Sequence, residues 1–475
     1  MLIKNQSQIL LKNLNTNQLY FRKIGLKCIE KAINAVKPDK LIKKSVKIHE
    51  GKLIIKNDVF ELKDFEKIYI IGGGKASAEM VFSLEKLFIN NSALPYKGII
   101  NIPEGLEIKK SNLTGKININ FASHPIPNEN GLNGTKQIMK LIQKATKNDL
   151  IICLISGGGS ALLLLPKPGI SLKEVQNINS LLLASGASIH EINAIRKHIS
   201  DFKGGNLAKK VYNLSRATLI SLIISDVVGD DLSTIASGPT VPDLTTFKDT
   251  IEILKKYNIY EKSPFSIKTY LEVGMNDKKI ENPKPNDACF NNIHNYLIGS
   301  IKFAIQELFQ YLDEQSFKVE SFPNEIIGEA REYGKTLYQI ISQKLEENGR
   351  KERSNKIAII GNGELTVTLR GSGIGGRNQE MLLSFLDYIK DKNFFHDFCI
   401  IAVNLDGIEG NSKSMGVIVD KFTLNQVISK NLDTKKYLEN NDSNSFFKIL
   451  KSDLITGPTG CNVNDLVLIL ISNEN

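Results

Sequence analysis

The chain lacks the sequence features of several large classes of protein. No stretch approaches the roughly 18 to 20 consecutive apolar residues that cross a bilayer. Residues 1–20 mix Lys, Asn and Gln too evenly for the apolar segment of a signal peptide. The five cysteines are an odd number with no short spacing, so they predict neither a disulfide framework nor a metal site. We therefore expect a cytoplasmic globular protein without membrane association.

Nucleic-acid binding is also disfavoured, although the formal net charge is +10. The chain has no Trp and no Arg-rich block, and its Lys residues are interspersed with Asp and Glu. A nucleic-acid surface usually concentrates its cations and offers aromatic rings for stacking. We therefore expect a small-molecule substrate and no nucleic acid as partner, with the chain acting as a monomer or a homodimer.

Glycine-rich stretches dominate what is present. Three of them, each directly after an apolar run, are Gly72–Ser77, Ser156–Ser160 and Gly371–Glu380. A strand, a glycine turn and then a helix point backbone N–H groups and a helix dipole at an anion. Lys75 and Arg377 add a cation to the first and the third stretch. This construction indicates a protein that handles a polyanion, although tight packing alone would also explain such turns.

The apolar runs themselves indicate the fold class. Ile68–Ile71 and Leu150–Ile155 are short and continuous, which is typical of strands buried on both faces of a mostly parallel sheet between helix layers. A chain of 475 residues is too long for one core. We expect an α/β protein with an N-terminal domain at 1–245, a helical connecting region at 246–355 and a second α/β domain at 356–475.

Two further groups of polar residues are candidates for chemistry. Asp226 and Asp230 follow a predicted strand, and Mg²⁺ needs only one or two protein carboxylates beside substrate phosphates. Asp226 could instead accept a proton from an attacking hydroxyl, and loop capping would explain both carboxylates without a function. Glu191 and Arg196 lie on the predicted helix Ile189–His198, where a solvated face is the alternative to a binding role.

A series of stretches resembles the glycerate 2-kinase family, in matching order over about residues 60–470. They are Gly72–Ser77, Ser123–Pro127, Ser156–Ala161, Ser185–Ser200 with Lys203–Gly205, Ser225–Asp231, Ile235–Thr240, Gly375–Glu380 and Thr456–Asp465. The resemblance implies a Rossmann-like three-layer N-terminal domain, a C-terminal domain of the MOFRL type and an active site in the cleft between the two. Members transfer the γ-phosphate of ATP to the 2-hydroxyl of glycerate with a divalent metal ion, so ATP and Mg²⁺ are the expected cofactors.

The resemblance implies roles for two residues, and the chemistry of the side chains suggests roles for the others. The family's catalytic lysine and arginine match Lys75 and Arg377, and Asp226 is the third residue expected to be catalytic. Expected to bind the acceptor are Ser156, Gly157, Gly158, Ser160, Glu191, Asn193 and Arg196. Expected to bind the nucleotide are Gly73, Gly74, Gly375, Gly376, Asn378, Asn462 and Asn464. Expected to bind the metal are Asp226 and Asp230.

Two alternatives to a kinase follow from particular stretches. In Asn404–Gly416, residues Asn411, Ser412 and Lys413 stand where the family has proline, threonine and aspartate, which leaves a non-catalytic metabolite-binding protein as one alternative. An NAD-dependent hydroxypyruvate reductase, an older label within the family, is the other. That enzyme needs a G-x-G-x-x-G turn with an acidic residue about 20 residues later, and neither of the first two glycine stretches fits. The sequence therefore predicts the kinase.

Overall fold

The computed structural model of the protein describes residues 2–91, 94–106, 108, 114–349, 356–392, 394 and 396–472. Its helices are α1 (Gln6–Ile9), α2 (Thr16–Ala35), α3 (Pro38–Ser45), α4 (Ser77–Asn91), α5 (Glu129–Lys144), α6 (Gly159–Leu162), α7 (Leu172–Ala184), α8 (Ile189–His198), α9 (Asn206–Leu214), α10 (Phe247–Lys256), α11 (Phe265–Asn276), α12 (Ile301–Glu314), α13 (Ala330–Gly349), α14 (Arg377–Ile389), α15 (Lys421–Ser429), α16 (Thr434–Glu439) and α17 (Ser443–Ile449). No helix in this described part of the chain is long and apolar enough to span a lipid bilayer.

The strands form three sheets. They are β1 (Val46–His49), β2 (Lys52–Ile55), β3 (Asp58–Glu61), β4 (Lys67–Gly73), β5 (Tyr96–Pro103), β6 (Ile117–Ala122), β7 (Asp149–Ile155), β8 (Thr218–Ile224), β9 (Ile293–Gly299), β10 (Lys318–Ser321), β11 (Ile326–Glu329), β12 (Lys356–Thr366), β13 (Asp397–Asn404), β14 (Gly416–Asp420), β15 (Asp453–Leu454) and β16 (Asp465–Ser472). The chain divides into two compact units: a first unit, Pro38–Gly299, and a second unit, Met1–Lys37 together with Ser300–Asn475.

The first unit is built on a parallel sheet. Its strands lie in the order β6-β5-β4-β7-β8-β9, and every neighbouring pair is parallel. Counted from β4, this is the order 3-2-1-4-5-6 of a doubly wound sheet, which reverses its direction of growth between β4 and β7. Ligands of such sheets bind beyond the carboxyl ends of the strands at this switch point. The predicted parallel sheet is confirmed. Its topology indicates a ligand site at the carboxyl ends of β4 and β7.

Burial on both faces explains the continuous apolar runs of these strands. Tyr69 and Ile71 of β4 pack with Ile138 of α5 and Leu207 of α9 in one buried cluster. The intervening residues of each strand point to the opposite face, where α4 contacts β4, β5 and β7. A small antiparallel sheet, β1-β2-β3, completes the unit.

The second unit contains a mixed sheet between helix layers. The order is β10-β12-β16-β13-β14-β15, with β11 also pairing with β12; β10 and β11 are parallel to β12, and the other pairs are antiparallel. Helices α13 and α14 contact each other and share a buried cluster with β12, β13, β14 and β16. Helix α2 contacts β13 and β16, and Gly25 permits this approach because a Cβ there would lie 2.4 Å from Ile401 Cδ1.

The two units divide the chain differently from the three predicted segments. The N-terminal helix α2 belongs to the second unit, and 246–355 is not simply a helical connection: β9 completes the parallel sheet, while β10 and β11 extend the mixed one. Strands β10 and β11 are short, and all three strands are only partly buried, so the helical periodicity around them dominates the sequence pattern. The predicted boundary at 355 lies outside the described residues.

Candidate functional site

The first two glycine stretches meet at the switch point of the parallel sheet. Strands β4 and β7 pair up to Gly73 and Ile155. Beyond them the Lys75 amide donates to the Gly157 carbonyl at 2.9 Å, and the Ala76 amide donates to Ser156 Oγ at 3.0 Å. Because each turn bonds to the other, Lys75 leaves the sheet at a fixed place on its carboxyl edge.

Close packing accounts for several of these glycines and for Ser156. A Cβ on Gly74, whose φ is +146°, would lie 2.1 Å from Ser156 Oγ, and one on Gly73 would lie 2.9 Å from the Asn101 carbonyl oxygen. Gly73, Gly74 and Ser156 were expected to contact ligands, yet their contacts here join the two turns. We assign their described contacts to the architecture that holds Lys75.

Gly158 has the surroundings of a binding site. Its φ is +83°, and a Cβ there would lie 3.0 Å from His124 Cδ2 and 3.5 Å from Lys75 Cγ. Burial and, next, the charge of Lys75 lower the pKa of His124, so a neutral imidazole lies beside the lysine. The prediction of a helix after this glycine turn is wrong in extent, because α6, which begins at Gly159, has only four residues.

A cavity of about 230 Å³ opens beside these turns. It is lined by His124, Pro125, Pro127, Gly158, Ser160, Ala161, Leu164, Val175, Asn179, Leu183, Arg196, Ile199, Ser200 and Lys203. None of these lining residues is acidic. The cavity therefore combines an apolar wall with hydroxyl, amide, guanidinium and ammonium groups, which suits a small anion that also carries hydroxyls.

Hydrogen bonds order the polar part of this cavity. Arg196 Nε donates to Asn179 Oδ1 at 2.8 Å. Ser160 Oγ lies 2.9 Å from Ser237 Oγ, which donates to Asn193 Oδ1 at 3.1 Å. The structure thus brings together three of the residues predicted to bind the acceptor, namely Ser160, Asn193 and Arg196, with the last of them half-buried.

Glu191 has a different role from the predicted one. Its carboxylate accepts from the Ser188 amide at 2.9 Å and from Ser188 Oγ at 2.8 Å, and the pair forms the capping box at the start of α8. The carboxylate also binds Lys256 and Tyr257 of the neighbouring α10 region. These hydrogen bonds lower the pKa of Glu191 to about 2. The sequence signal was there, since serine followed three residues later by glutamate is the capping-box pattern.

The predicted metal ligands lie beyond the end of β8. Asp226 and Asp230 are half-buried, and Asp230 has a left-handed φ of +63°. The neighbouring Asp231 accepts from Ser233 and Thr234 and thereby closes its own turn. Among the described residues no group of three or more His, Cys, Asp or Glu is arranged to hold a metal ion. Carboxylate oxygens fit Mg²⁺ chemically, and one or two suffice where substrate phosphates supply the remaining ligands.

In the second unit, Arg377 begins α14 and binds carboxylates. Its Nε and Nη2 donate to the two oxygens of Asp465 at 2.5 and 3.0 Å, and Nη1 donates to Glu364 at 2.7 Å. Burial opposes the charge of Arg377, but Asp465 and then Glu364 outweigh it and raise the pKa of the guanidinium. The side chain is therefore a fixed cation held in one orientation.

In the third glycine stretch, the amides of residues 371–375 are already hydrogen-bonded within the protein. Asn441 Oδ1 accepts from the amides of Arg370 and Gly371, and Asn411 Oδ1 accepts from Gly375 at 2.8 Å. The amides of Ser372, Gly373 and Ile374 bind Asn440 or Asp442. The prediction that this stretch forms an anion cradle is therefore wrong for these amides, because Asn and Asp side chains, and for Gly373 the Asn440 backbone carbonyl, already bind them.

Glu409 lies where an anion was expected, at the N-terminus of α14. Its carboxylate accepts from the Asn378 amide and, at 2.9 Å, from Gln379 Nε2, and the residue is 1% exposed. A Cβ on Gly376 would lie 2.4 Å from Glu409 Cγ. Burial and then the nearby Asp465 raise the pKa of Glu409 to about 8, and burial raises that of Asp465 to about 6 despite Arg377. Gly376 and Asn378 thus contact a protein carboxylate here.

Asn462 and Asn464, which were predicted to bind the nucleotide, have buried polar atoms without a partner among the described residues. Both are buried, and Asn462 Nδ2 donates to Asp406 Oδ2 at 3.4 Å. Within the described residues, Asn462 Oδ1 and Asn464 Nδ2 have no hydrogen-bond partner. Asn464 also has a left-handed φ of +82°. Buried polar atoms are normally satisfied, so a ligand or water is expected to bind them.

Several site residues were not predicted as such. Lys203, Asn179 and His124 line the cavity, and Glu364, Asp465 and Glu409 surround Arg377. Their residue types are ordinary in sequence, and only burial and partner identity distinguish them. The stretch Asn404–Gly416, which departs from the family pattern, supplies both Glu409 and Asn411 to the surroundings of Arg377.

Comparisons with known proteins cover nearly the whole chain. Residues 25–272 match a family described as a domain of unknown function, DUF4147, and residues 357–465 match the MOFRL family. Glycerate 2-kinase of Pyrococcus horikoshii is 38% identical over 457 residues, which cover 95% of this chain and 98% of that protein. D-glycerate 2-kinase of Thermotoga maritima is 34% identical over 451 residues, again 95% and 98%.

A solved structure agrees with these sequence matches. The crystal structure of glycerate kinase from Thermotoga maritima superposes with a TM-score of 0.79 at 32% identity, covering 95% of this chain and 99% of that one. Matches of this extent and identity span both units and include each stretch that carries the predicted site residues. The chain belongs to the glycerate 2-kinase family.

Proposed function

We propose that the protein is a kinase that transfers the γ-phosphoryl group of ATP to the 2-hydroxyl of glycerate, giving 2-phosphoglycerate and ADP. The observation that carries the proposal is the cavity at the switch point of the parallel sheet. It is lined by cationic, amide and hydroxyl groups, it has no acidic lining residue, and Lys75 lies beside it. Glycerate is a small carboxylate with two hydroxyls, so its chemistry matches this lining.

The acceptor is placed by the groups that the cavity offers. The two Nη groups of Arg196 are available for a carboxylate, because within the described residues only its Nε is hydrogen-bonded, to Asn179. Ser160, which is linked through Ser237 to Asn193, offers a hydroxyl to the hydroxyls of the acceptor. Bidentate binding of a carboxylate by arginine fixes orientation as well as position.

Phosphoryl transfer chiefly requires positioning and positive charge around the transferred group. We assign Lys75 and Arg377 to that charge. Three of the five N–H donors of Arg377 bind Asp465 and Glu364, and the other two remain for phosphate oxygens. The carboxylates therefore orient the guanidinium for this role, and its raised pKa keeps it charged at any working pH.

ATP and Mg²⁺ are the cofactors in this proposal. Asn462 and Asn464, with their unsatisfied amide atoms, are candidates to contact the nucleotide. Asp226 and Asp230 would hold the metal ion, which when bound neutralises charge on the phosphate oxygens. Asp226 is equally placed by its chemistry to accept the proton of the 2-hydroxyl, so both roles stay open for it.

The reductase alternative lacks a supporting observation. A bound dinucleotide would place its pyrophosphate on the amides of the first strand–helix turn. In this turn the Ala76 amide donates to Ser156 Oγ, and Ser156 also fills the space beside Gly74. The turn is therefore closed by protein at the position where that cofactor would bind.

One assay tests the proposed function. ADP release is measured with ATP and Mg²⁺ over a panel of small hydroxy acids, and the product is offered directly to enolase, which accepts the 2-phosphate and not the 3-phosphate. We expect ADP release with glycerate and a product that enolase consumes. A product that enolase rejects would place the phosphate on another hydroxyl, and absence of ADP release with every acid would favour the non-catalytic alternative.

A further inference from the structure

The acceptor cavity contains a second cation, the buried Lys203. The residue is 4% exposed and lines the cavity together with Arg196. Within the described residues its Nζ has no hydrogen bond or ion pair. Other deeply buried cations of the chain are paired: Arg22 binds Asp420 at 2.7 Å and Lys197 lies 3.5 Å from Asp243. An unpaired buried ammonium is costly to fold, so its presence calls for a reason.

Hydrogen bonds and two left-handed glycines fix the backbone turn that carries Lys203. Ser200 Oγ accepts from the Lys203 amide at 3.2 Å, and the next residues, Gly204 and Gly205, have left-handed φ values of +57° and +77° before α9 begins. The Gly204 amide donates to the Ser237 carbonyl at 2.9 Å. The turn is thus tied to Ser237, which is hydrogen-bonded to the cavity residue Ser160.

Electrostatics support a ligand between the two cations. Burial and, next, the charge of Arg196 lower the pKa of Lys203 to about 7, and burial lowers the pKa of Arg196. Lys203 and Arg196 repel each other, and no residue that lines the cavity is acidic. The two cations therefore form a site for an anion. A bound carboxylate would offset both the burial and the mutual repulsion.

We propose that Lys203 and Arg196 together form a two-cation subsite that binds the carboxylate of the acceptor, so that the enzyme requires a hydroxy acid and rejects the corresponding neutral compound. This inference rests on the proposed function and deepens it. A site whose buried charges need a partner discriminates strongly against an analogue that lacks the partner. The subsite therefore separates glycerate from polyols, aldehydes and amides of the same size.

The test compares glycerate with glyceramide, its neutral isostere, in the wild type and in Lys203→Met. We expect the ratio of kcat/KM for glycerate to that for glyceramide to fall by roughly 10- to 100-fold in the variant, the range of one charge-assisted hydrogen bond. The KM for ATP should stay unchanged. Lys173→Met, which removes an exposed lysine of α7, is the matched control and should leave the ratio unchanged.

Thermal unfolding of the same variants provides a second measurement. If Lys203 serves a ligand at a cost to folding, Lys203→Met should raise the unfolding midpoint; a structural lysine would lower it. An unchanged ratio of kcat/KM for glycerate to kcat/KM for glyceramide in Lys203→Met would overturn the subsite. A raised KM for ATP instead of a changed ratio would also overturn it, because Lys203 would then bind a phosphate. If Lys203→Met does not fold, the subsite is also overturned, because the cation is then structural. A wild type inactive with glycerate would instead refute the proposed function.

Discussion

At the residue scale, the charged side chains of this protein fall into two groups. Arg22 and Asp420 form a buried pair 2.7 Å apart, each 1% exposed, which serves the fold of the second unit. Lys203 and Arg377 belong to the other group, which has charge available for a ligand. Lys203 has no such partner within the described residues, and Arg377 binds two carboxylates but keeps two further N–H donors. The sequence predicted Lys75, Arg196 and Arg377 from their glycine turns and helix. It did not predict Lys203, because nothing local distinguishes a buried lysine from an exposed one.

Arg377 is predicted to be intolerant of lysine. Lysine cannot reproduce the fork that binds both oxygens of Asp465 while keeping donors for a phosphate. We expect Arg377→Lys to lower kcat by on the order of a hundredfold or more, as for loss of a preorganised charge in the transition state. Steady-state kinetics with saturating glycerate and ATP measure it.

The exposed Arg370 in the neighbouring loop is the control for this substitution. Arg370→Lys should retain the wild-type kcat. Wild-type turnover in Arg377→Lys would remove Arg377 from the transferring group.

Glu409 is predicted to make stability depend on pH. Its pKa rises from 4.5 to about 8 in the folded protein, so its contribution to stability is present below about pH 4.5 and is lost as the pH rises through about 8. Glu409→Gln removes this loss. The unfolding midpoint of the variant minus that of the wild type should therefore increase as the pH is raised from about 5 to about 8.

Glu439→Gln, at an exposed position of α16, is the control and should show a constant difference. If the difference for Glu409→Gln were constant or decreased over the same range, the burial account of its raised pKa would be contradicted.

At the scale of elements, local sequence patterns predicted helices and strands well. The capping-box pattern of Ser188 and Glu191 was present in the sequence but did not enter the prediction for Glu191. The helix Ile189–His198 was predicted with the bounds that α8 has, and the strand–turn–helix unit of β4 occurs where expected, whereas the helix after β7 has only four residues. The functional meaning of the third glycine stretch was not predictable, because Asn411 and Asn441 are 36 and 71 residues away from the amides of Gly375 and Arg370 that they bind. Whether a glycine loop is open to an anion depends on such distant side chains.

Glu191 provides a prediction at this scale. Because its side chain completes the capping box of α8 with the N-cap Ser188 and binds Lys256 of α10, we expect Glu191→Ala to destabilise the protein by roughly 1 kcal/mol, about the cost of a lost helix cap, while the KM for glycerate stays unchanged. Thermal or urea unfolding and steady-state kinetics measure the two quantities. Glu252→Ala, at an exposed position of α10, is the control. A large rise in KM with unaltered stability would restore Glu191 to the acceptor site.

At the scale of the whole molecule, the parallel sheet was predicted and the partition of the chain was not. Continuous apolar runs reveal burial on both faces of a sheet. They do not reveal that α2 packs with β13 and β16, or that β9 joins the sheet begun by β4, because such contacts link residues far apart in the sequence, such as Leu219 of β8 and Ile293 of β9. Lys75 and the cavity beside it belong to the first unit, and Arg377 belongs to the second.

We propose that Lys75 and Arg377 act on the same phosphoryl group. A double-mutant cycle on kcat with Lys75→Met and Arg377→Lys tests it most directly. Residues that act as a unit lose little more when both are removed, so we expect the double variant to lie within about tenfold of the slower single variant. Losses that multiply, or a single variant with wild-type turnover, would contradict the claim.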